Sequence, residues 1–331
     1  MMKLSKLGMR DIILISAVLI SGCIMIQGCY RNTAAVPYIQ SNLYEGREFS
    51  SLSVHPNGEE LFFVEIDRKQ GLHTRMFHYN LKNGSLQYYN LPDADYIYWD
   101  VKISPSGKYI IMTRTPRLGT VEDAEIAIMK SDGTDFKVLK LSHGLKHDPI
   151  MSNDDNKVAY WRGYLRPSHS KTLANEFDIW EVDLKTGTDR LFSAPFKFFE
   201  SGQMQYLHGD GEILAQAYGP EKEAQNMNHY GKLYNKSNVY KFSRREINVP
   251  APILTEVSYA SHPVADRAGN IYFKGYNPSA FLFKKTSQGK IRQWEMTYPF
   301  ANITSSTVTL DGGHTWRLSI RSNRLCHNME A

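Results

Sequence analysis

Four histidines recur along the chain and could supply ligands to a metal ion. They are His55, His147, His208 and His262, and Asp148 directly follows His147. Imidazole and carboxylate groups are common ligands of divalent metal ions, so a convergence of these side chains would form a metal site. No spacing such as HxxEH fixes two of them together, and the sequence contains neither a GxSxG motif nor a P-loop. The sequence therefore supplies candidate ligands without a defined ligand set.

A second candidate site is acidic. Asp93, Asp95 and Asp100 lie close together in the sequence. Paired carboxyl groups with different pKa values can act as a general acid and a general base. A solvated loop explains the three side chains more simply, so the sequence predicts no catalytic residue.

These residues belong to a repeated phrase, in which a tight turn separates two apolar runs. The clearest copy is 101–115, VKISPSGKYIIMTRT. Such a phrase is typical of two short antiparallel strands. Its copies have their turns at Gly58, Gly107, Asp155, Gly211, Gly269 and Gly312.

A second hairpin phrase alternates with the first. Its turns lie at Gly84, Gly133, Gly187 and Gly289, whereas the copy at 238–254 has no glycine. One phrase of each kind makes a four-stranded blade. The repeat length of about 40 to 58 residues predicts an all-β, six-bladed β-propeller with four-stranded antiparallel blades. A seventh blade would need another phrase, which the sequence does not contain.

The last predicted blade is short of strands, because only TWRLSIRSN and a short tail follow its turn. An open edge favours unwanted pairing. We therefore expect residues 36–50 to add outer strand pairing to the last blade and close the ring. The predicted domains are a leader at 1–22, a tether and closing strand at 23–47, and the propeller at 48–331.

In a propeller, the first strand of each blade lines the central channel, and the four histidines lie near first strands. The residue at this level varies, since Lys102 or Ser104 occupies it in the second blade. We therefore interpret the histidines as ordinary residues of the channel wall and predict no cofactor. A channel that binds a small ligand is a further hypothesis, which the sequence neither supports nor opposes.

The loops between second and third strands are long, and they share one face of the propeller with the connections between blades. Binding residues are often found on loops of a rigid scaffold. Arg and Tyr are frequent anchors in protein interfaces, so we predict that this loop face binds a protein partner. An acidic glycan is an alternative ligand. The predicted contact residues are Arg68, Arg75, Arg114, Arg117, Arg162, Tyr164, Arg166, Tyr218, Tyr230 and Tyr234.

The N-terminus has the order of a secretory leader. Lys3, Lys6 and Arg10 precede the apolar run 12–21, which is too short for a comfortable membrane span. The run ends in Ile-Ser-Gly-Cys23, which resembles the bacterial lipobox and predicts a lipid on Cys23.

Two alternatives to this anchor stay open: a lipid on Cys29, or an uncleaved anchor at 12–26. Ile24, rather than Asp, resembles the pattern of lipoproteins sorted to the outer membrane, which places the protein on its periplasmic face. Cys326 is either a free thiol or a partner for Cys29.

Composition agrees with an exported globular body. Hydrophobic residues make up 42% and charged residues 22%, and the 12% of aromatic residues suits β-strands. The net charge of +5, part of which belongs to the leader, is too small to indicate nucleic-acid binding.

The repeats resemble a known family. DVKISPSGKYIIM and SVHPNGEELFFV resemble the S-P-D-G-K-x-I-A-F repeat of TolB-like propellers, and EIAIMKSDGTDFKVL resembles its companion I-Y-V-x-D-x-D-G. The resemblance covers about residues 50–320 and is specific for architecture rather than activity, since this repeat serves binding proteins, lyases and peptidase propellers alike. We expect neither the separate α/β domain of TolB nor a hydrolase domain.

Together with the leader and the long loops, the repeats predict a lipid-anchored binding or scaffold protein of the cell envelope, without enzymatic activity. The alternative that the resemblance implies is a lyase-like enzyme acting on an acidic polysaccharide. Oligogalacturonate lyases, which the chain also resembles, hold a metal with several histidines in the channel. Only under this alternative is a divalent metal expected.

Overall fold

The computed structural model describes residues 47–67, 73–166, 173–220, 237–257, 259–276, 280–294, 303–308, 314–319 and 324–329. They form β-strands β1 to β22 and one short 3₁₀ helix, Val121–Asp123, and the strands make five antiparallel sheets. The predicted all-β propeller with four-stranded antiparallel blades is confirmed. Within these residues, no helix has the length and apolar character needed to span a bilayer.

The first two sheets each follow chain order. The first contains β1 (Arg47–Val54), β2 (Glu60–Asp67), β3 (His73–Asn80) and β4 (Leu86–Tyr89). The second contains β5 (Tyr96–Ile103), β6 (Tyr109–Pro116), β7 (Glu125–Lys130) and β8 (Lys137–Val138).

The third sheet is larger and the last is smaller. The third contains β9 (Leu145–Met151), β10 (Lys157–Arg166), β11 (Leu173–Asp183), β12 (Asp189–Leu191), β13 (Phe198–Tyr206), β14 (Glu212–Pro220) and β15 (Asn238–Ser243). The fourth contains β16 (Ala260–Ala265), β17 (Ile271–Tyr276), β18 (Ala280–Lys285) and β19 (Ile291–Trp294). The fifth contains β20 (Ile303–Val308), β21 (His314–Ser319) and β22 (Arg324–Met329).

The prediction of six blades is wrong, because the described strands form five sheets. The third sheet has seven strands and spans the third and fourth predicted repeats. Its two halves join where Phe177 of β11 pairs with Phe198 of β13. The backbone N–H of Lys197 donates to the Asp178 carboxylate at 2.8 Å, which draws the start of β13 onto β11. Two repeats that the sequence separates are therefore continuous.

The innermost strands form a ring. Contacts run from β1 to β5, β9, β13, β16 and β20, and β20 contacts β1 again. The predicted closing segment lies outside the described residues at 36–46. Residues 47–50 pair with β2 in the first sheet rather than with the last. The last sheet gains a third strand, β22, which contains Cys326 and which the sequence did not predict. Closure by 36–46 stays a prediction.

Packing between adjacent blades fixes the inner strands. Phe62 and Met76 of the first sheet join Tyr98 and Met112 of the second in one buried cluster. In the third sheet, Trp161 lies edge-on to Phe242, with ring centroids 5.8 Å apart. Because such cores are close-packed, the strands that line the channel are held in defined positions.

Candidate functional site

Five inner strands share a β-bulge at the same level, where two residues lie opposite one residue of the second strand. The first residue of each bulged pair is Ser51, Asp100, Asp148, Gly202 or His262. The four non-glycine residues have φ between 50° and 55°. Side chains in this left-handed conformation leave the alternation of an ordinary strand, so the bulges turn them toward the channel.

The bulge residues line a cavity of about 500 Å³ in the centre of the ring. This volume is in the range of small-molecule sites. Apolar parts of the wall come from Trp99, Met151, Met204 and Val264, while Gln216 adds a polar group. The cavity therefore combines an apolar surface with charged groups at one level.

Four charged or titratable side chains meet at this level, and we call them the channel cluster: Asp100, Lys102, His147 and Asp148. Lys102 Nζ lies 3.4 Å from Asp148 Oδ1, and His147 Nδ1 lies 3.1 Å from Asp148 Oδ2. His147 Nε2 lies 2.7 Å from the hydroxyl of Ser201. Asp148 is thus contacted on both oxygens.

Asp100 is bonded on one oxygen only. Its Oδ2 accepts the backbone N–H of Asp148 at 2.8 Å and the hydroxyl of Thr113 at 3.3 Å. Its Oδ1 accepts no hydrogen bond from the described residues. Asp100 therefore keeps an acceptor that a ligand could use.

The two carboxyl groups differ in acidity. Burial and the neighbouring charge of Asp148 raise the pKa of Asp100 from 3.8 to about 6. Burial alone would also raise the pKa of Asp148, but Lys102 and the hydrogen bond from His147 outweigh it and hold that pKa below its ordinary value. Asp148 is therefore ionised across the neutral range, while Asp100 gains and loses its proton near pH 6.

The four histidines considered as possible metal ligands do not come together. His55 Nε2 lies 3.2 Å from the carbonyl oxygen of Gly107, against whose Cα its ring packs. His208 is exposed beyond the end of β13. His262 is the bulge residue of β16, where its backbone N–H donates to Gln216. Of the four histidines, only His147 enters the channel cluster.

Within the described chain, the one group of three possible metal ligands is Asp100, His147 and Asp148, whose ligand atoms lie within 4.8 Å of one another. The group fits a divalent ion poorly. Both ring nitrogens of His147 already lie at hydrogen-bond distance from other groups, and the Lys102 ammonium lies beside Asp148. A metal cation bound there would be repelled by the positive charge of the Lys102 ammonium group, so Lys102 would have to move away.

Asp93 and Asp95 do not join Asp100. Asp93 Oδ2 lies 2.7 Å from the Arg114 guanidinium at the start of the second sheet, and Asp95 is exposed. The sequence thus grouped Asp100 with the wrong acids.

The bulge residues that line the channel have a regular spacing in the sequence. Each bulge residue precedes a turn residue of positive φ by seven positions, and the turn residues are Gly58, Gly107, Asp155, Gly209 and Gly269.

Three of the predicted loop-face residues have side chains that are buried inside the blades. Arg114, buried at 7% exposure, contacts Asp93 and Glu125 and lies over the ring of Tyr96 at 4.0 Å. Arg162 is buried at 8%, donates to the carbonyl oxygen of His143 and lies over Trp180. Tyr218 is also buried. These three side chains stabilise the propeller and are not accessible as anchors.

Five of the other predicted contact residues have side chains that the structure does not describe. Arg68, Tyr230 and Tyr234 lie outside the described residues, as do the lipidation candidates Cys23 and Cys29. Tyr164 and Arg166 belong to β10, but their side chains are outside the description.

Arg75 and Arg117 line a cavity of about 200 Å³ between the first and second sheets, which we call the loop-face cleft. Its wall also includes His73, Tyr88, Tyr89 and Tyr96.

No protein-family model matches the sequence, and no curated protein matches it. Solved structures do resemble the fold. A putative TolB from Agrobacterium tumefaciens is 12% identical with a TM-score of 0.58, over 86% of this chain and 91% of that one. TolB from Acinetobacter baumannii is 12% identical with a TM-score of 0.55, over 88% of this chain and 65% of that one.

An enzyme shares the same fold. An oligogalacturonate lyase in complex with manganese is 10% identical with a TM-score of 0.56, over 89% of this chain and 77% of that one. At these identities, the likeness establishes the TolB-like propeller fold and no activity.

Proposed function

We propose that the protein is a ligand-binding propeller of the cell envelope that holds a small amine in its central channel. The observation that supports this most directly is the channel cluster in a cavity of about 500 Å³. TolB-like propellers are structural neighbours, in keeping with a binding or scaffold role. No bond-breaking step is part of this proposal.

Charge balance selects the ligand class. With Asp100 and Asp148 ionised, two carboxylates face the single ammonium group of Lys102, so one carboxylate charge is left without an ammonium partner in the cluster. A ligand ammonium group would neutralise it and could donate to the unused Oδ1 of Asp100. The carbon chain of the amine would then contact the apolar wall at Trp99 and Met204.

Thermal unfolding of the purified protein tests the proposal. Primary amines of increasing length, from ethanolamine to putrescine and spermidine, are compared with ethylene glycol and 1,4-butanediol as neutral controls. We expect at least one amine to raise the Tm above pH 7, and the Asp100→Asn variant to lose that rise. If no amine raises the Tm, or if the rise survives in Asp100→Asn, the channel does not bind amines through this cluster.

A second candidate is an acid–base enzyme, such as a lyase acting on an acidic polysaccharide. The observation in its favour is Asp100, whose pKa of about 6 suits proton transfer and whose neighbour Asp148 is ionised. The carboxylate charge left without an ammonium partner opposes a polyanionic substrate. Incubation with polygalacturonate, with and without Mn²⁺, would settle the matter through the ultraviolet absorbance of unsaturated products, with Asp100→Asn as the control.

We also propose a lipid anchor on Cys23, with Cys29 as the alternative, that confines the protein to the periplasmic face of the outer membrane. The lipobox-like residues before Cys23 support this placement. The three-chain anchor of bacterial lipoproteins would make attachment effectively permanent, because two or more chains already give stable anchoring. Labelling cells with an alkyne fatty acid should mark the wild type and Cys29→Ala but not Cys23→Ala.

The proposed protein partner binds the loop face. Arg75 and Arg117 support this proposal, because their side chains make no hydrogen bond or ion pair within the described chain. Photo-crosslinkers placed at Tyr88 and Leu118 should give a discrete crosslinked product in the native membrane. The same crosslinker at Lys185, in a hairpin turn of the third sheet, serves as the matched control.

A further inference from the structure

The loop-face cleft has the chemistry of an anion site, and we infer that it receives an acidic side chain of the protein partner. The cleft lies at the seam of two blades. Thr74 Oγ1 of β3 accepts the backbone N–H of Tyr98 in β5 at 3.0 Å, and the Tyr98 hydroxyl donates to the carbonyl oxygen of Pro92. These contacts hold the two walls together, so the cleft is preformed.

Two nitrogen atoms in the cleft are buried without a partner among the described residues: Arg117 Nε and His73 Nδ1. A guanidinium N–H can only donate, so Arg117 Nε needs an acceptor. Leaving such a buried donor unpaired is unfavourable, and a bound acceptor would remove this cost. A carboxylate matches the planar fork of a guanidinium and is therefore the favoured ligand.

Neighbouring acids do not supply this acceptor. Asp93 lines the cleft, but its carboxylate is 2.7 Å from Arg114, which also contacts Glu125. Glu65 lies opposite Arg75 in the strand register but is buried at 3% exposure in β2. Asp95 contributes its carbonyl oxygen to the backbone N–H of Arg117 and is exposed.

The rim of the cleft favours a protein over a free anion. Tyr88, which lines the cleft, is 64% exposed, and Leu118, the residue that follows Arg117 in the chain, is fully exposed. An arginine surrounded by aromatic and aliphatic side chains is the usual composition of an interface hot spot. The expected partner segment therefore carries a Glu or Asp flanked by apolar residues.

The inference rests on the proposal that the loop face binds a partner, and its test is separate from that proposal. The arginine Nε–Hε signals of the full-length protein are followed by NMR during titration with the peptide acetyl-Leu-Glu-Leu-amide at millimolar concentration. The matched probes are acetyl-Leu-Gln-Leu-amide and inorganic phosphate. Arg292, exposed in β19 of another blade, is the internal reference.

We expect the Glu peptide to shift the signals of Arg75 and Arg117 but not that of Arg292, and the Gln peptide to shift none. The Arg117→Lys variant should bind the Glu peptide at least several-fold more weakly. Equal shifts with Glu and Gln peptides, no shift at all, or a response to phosphate alone would overturn the inference. A crosslinked partner from Tyr88 together with a silent cleft would leave the loop face as the interface and refute only the carboxylate site.

Discussion

The channel cluster and the loop-face cleft are both charged cavities, but their charges are balanced in opposite ways. In the channel, two acids share one lysine, and the uncompensated group is the carboxyl of Asp100. In the cleft, Asp93 is paired with Arg114, and Arg117 Nε and His73 Nδ1 have no hydrogen-bond partner among the described residues. The comparison shows that one propeller can present complementary chemistry at its axis and at a blade seam.

The difference in charge balance between the two cavities depends on Lys102, the lysine of the channel cluster. Replacing Lys102 with Met should lower the free energy of unfolding at neutral pH by about 3 kcal/mol, because it breaks a partly buried ion pair and leaves two neighbouring carboxylates without an ammonium group. Urea denaturation measures the change. The exposed pair Lys82–Glu59 provides the control, and Lys82→Met should cost less than about 0.5 kcal/mol.

Adding Asp100→Asn to Lys102→Met should restore much of the lost stability, since only one carboxylate would remain. If the double variant were no more stable than Lys102→Met, repulsion between the two acids would not be the cause.

Asp100 gives the next largest effect, with a defined pH dependence. Its folded pKa of about 6 lies above the ordinary value of 3.8, so ionisation opposes folding. The contribution of Asp100 is therefore close to neutral near pH 4, becomes unfavourable between about pH 4 and pH 6, and levels off above pH 6. Asp100→Asn should match the wild type near pH 4 and exceed it by about 2–3 kcal/mol above pH 7.

Urea denaturation across this pH range measures the Asp100 effect. Asp95→Asn, an exposed acid in the same blade, should leave the pH profile unchanged. Parallel profiles for the wild type and Asp100→Asn would contradict the raised pKa.

The smallest expected change in the free energy of unfolding distinguishes two predicted loop-face arginines, Arg114 and Arg117. Arg114→Met should cost about 1–2 kcal/mol, because it removes a buried guanidinium with two carboxylate partners. Arg117→Met should not lower stability, since the side chain makes no described hydrogen bond or ion pair and its buried Nε has no described partner. Thermal or urea unfolding distinguishes them. Equal losses in both variants would show that Arg117 is a structural residue and that the cleft is not reserved for a ligand.

The sequence predicted the elements better than the site. Turn residues within the described chain, such as Gly58 and Gly107, have the positive φ that the repeated phrase requires. The fusion of two repeats was not predictable, because it depends on Lys197, which lies outside the repeated phrases and donates to Asp178 of the preceding phrase. Strand β22 was missed because the tail after β21 lacks a turn signal of the usual kind.

The candidate site was missed because histidine positions were compared by their distance from a strand rather than from the turn. His55 and His208 lie beyond the ends of β1 and β13, one residue or more past the strand, so neither is a bulge residue. A bulge shifts the inward face of a strand by one residue, which periodicity alone does not reveal. Counting seven residues back from each turn would have selected Asp100 and Asp148.

The shared bulge allows the side chains that line the channel to be changed one blade at a time. Ser51 and Gly202 stand at the same level as Asp100 and Asp148, and the left-handed backbone at Ser51 is one that Asp and Asn adopt readily. A new side chain could therefore be installed at Ser51 without rebuilding any strand, whereas at Gly202 an added Cβ would lie 2.8 Å from the Gln216 side chain, which would have to move. Varying the residues at the bulge positions would give a set of propellers with the same scaffold and different charges in the channel. Ligand preference could then be selected independently of folding.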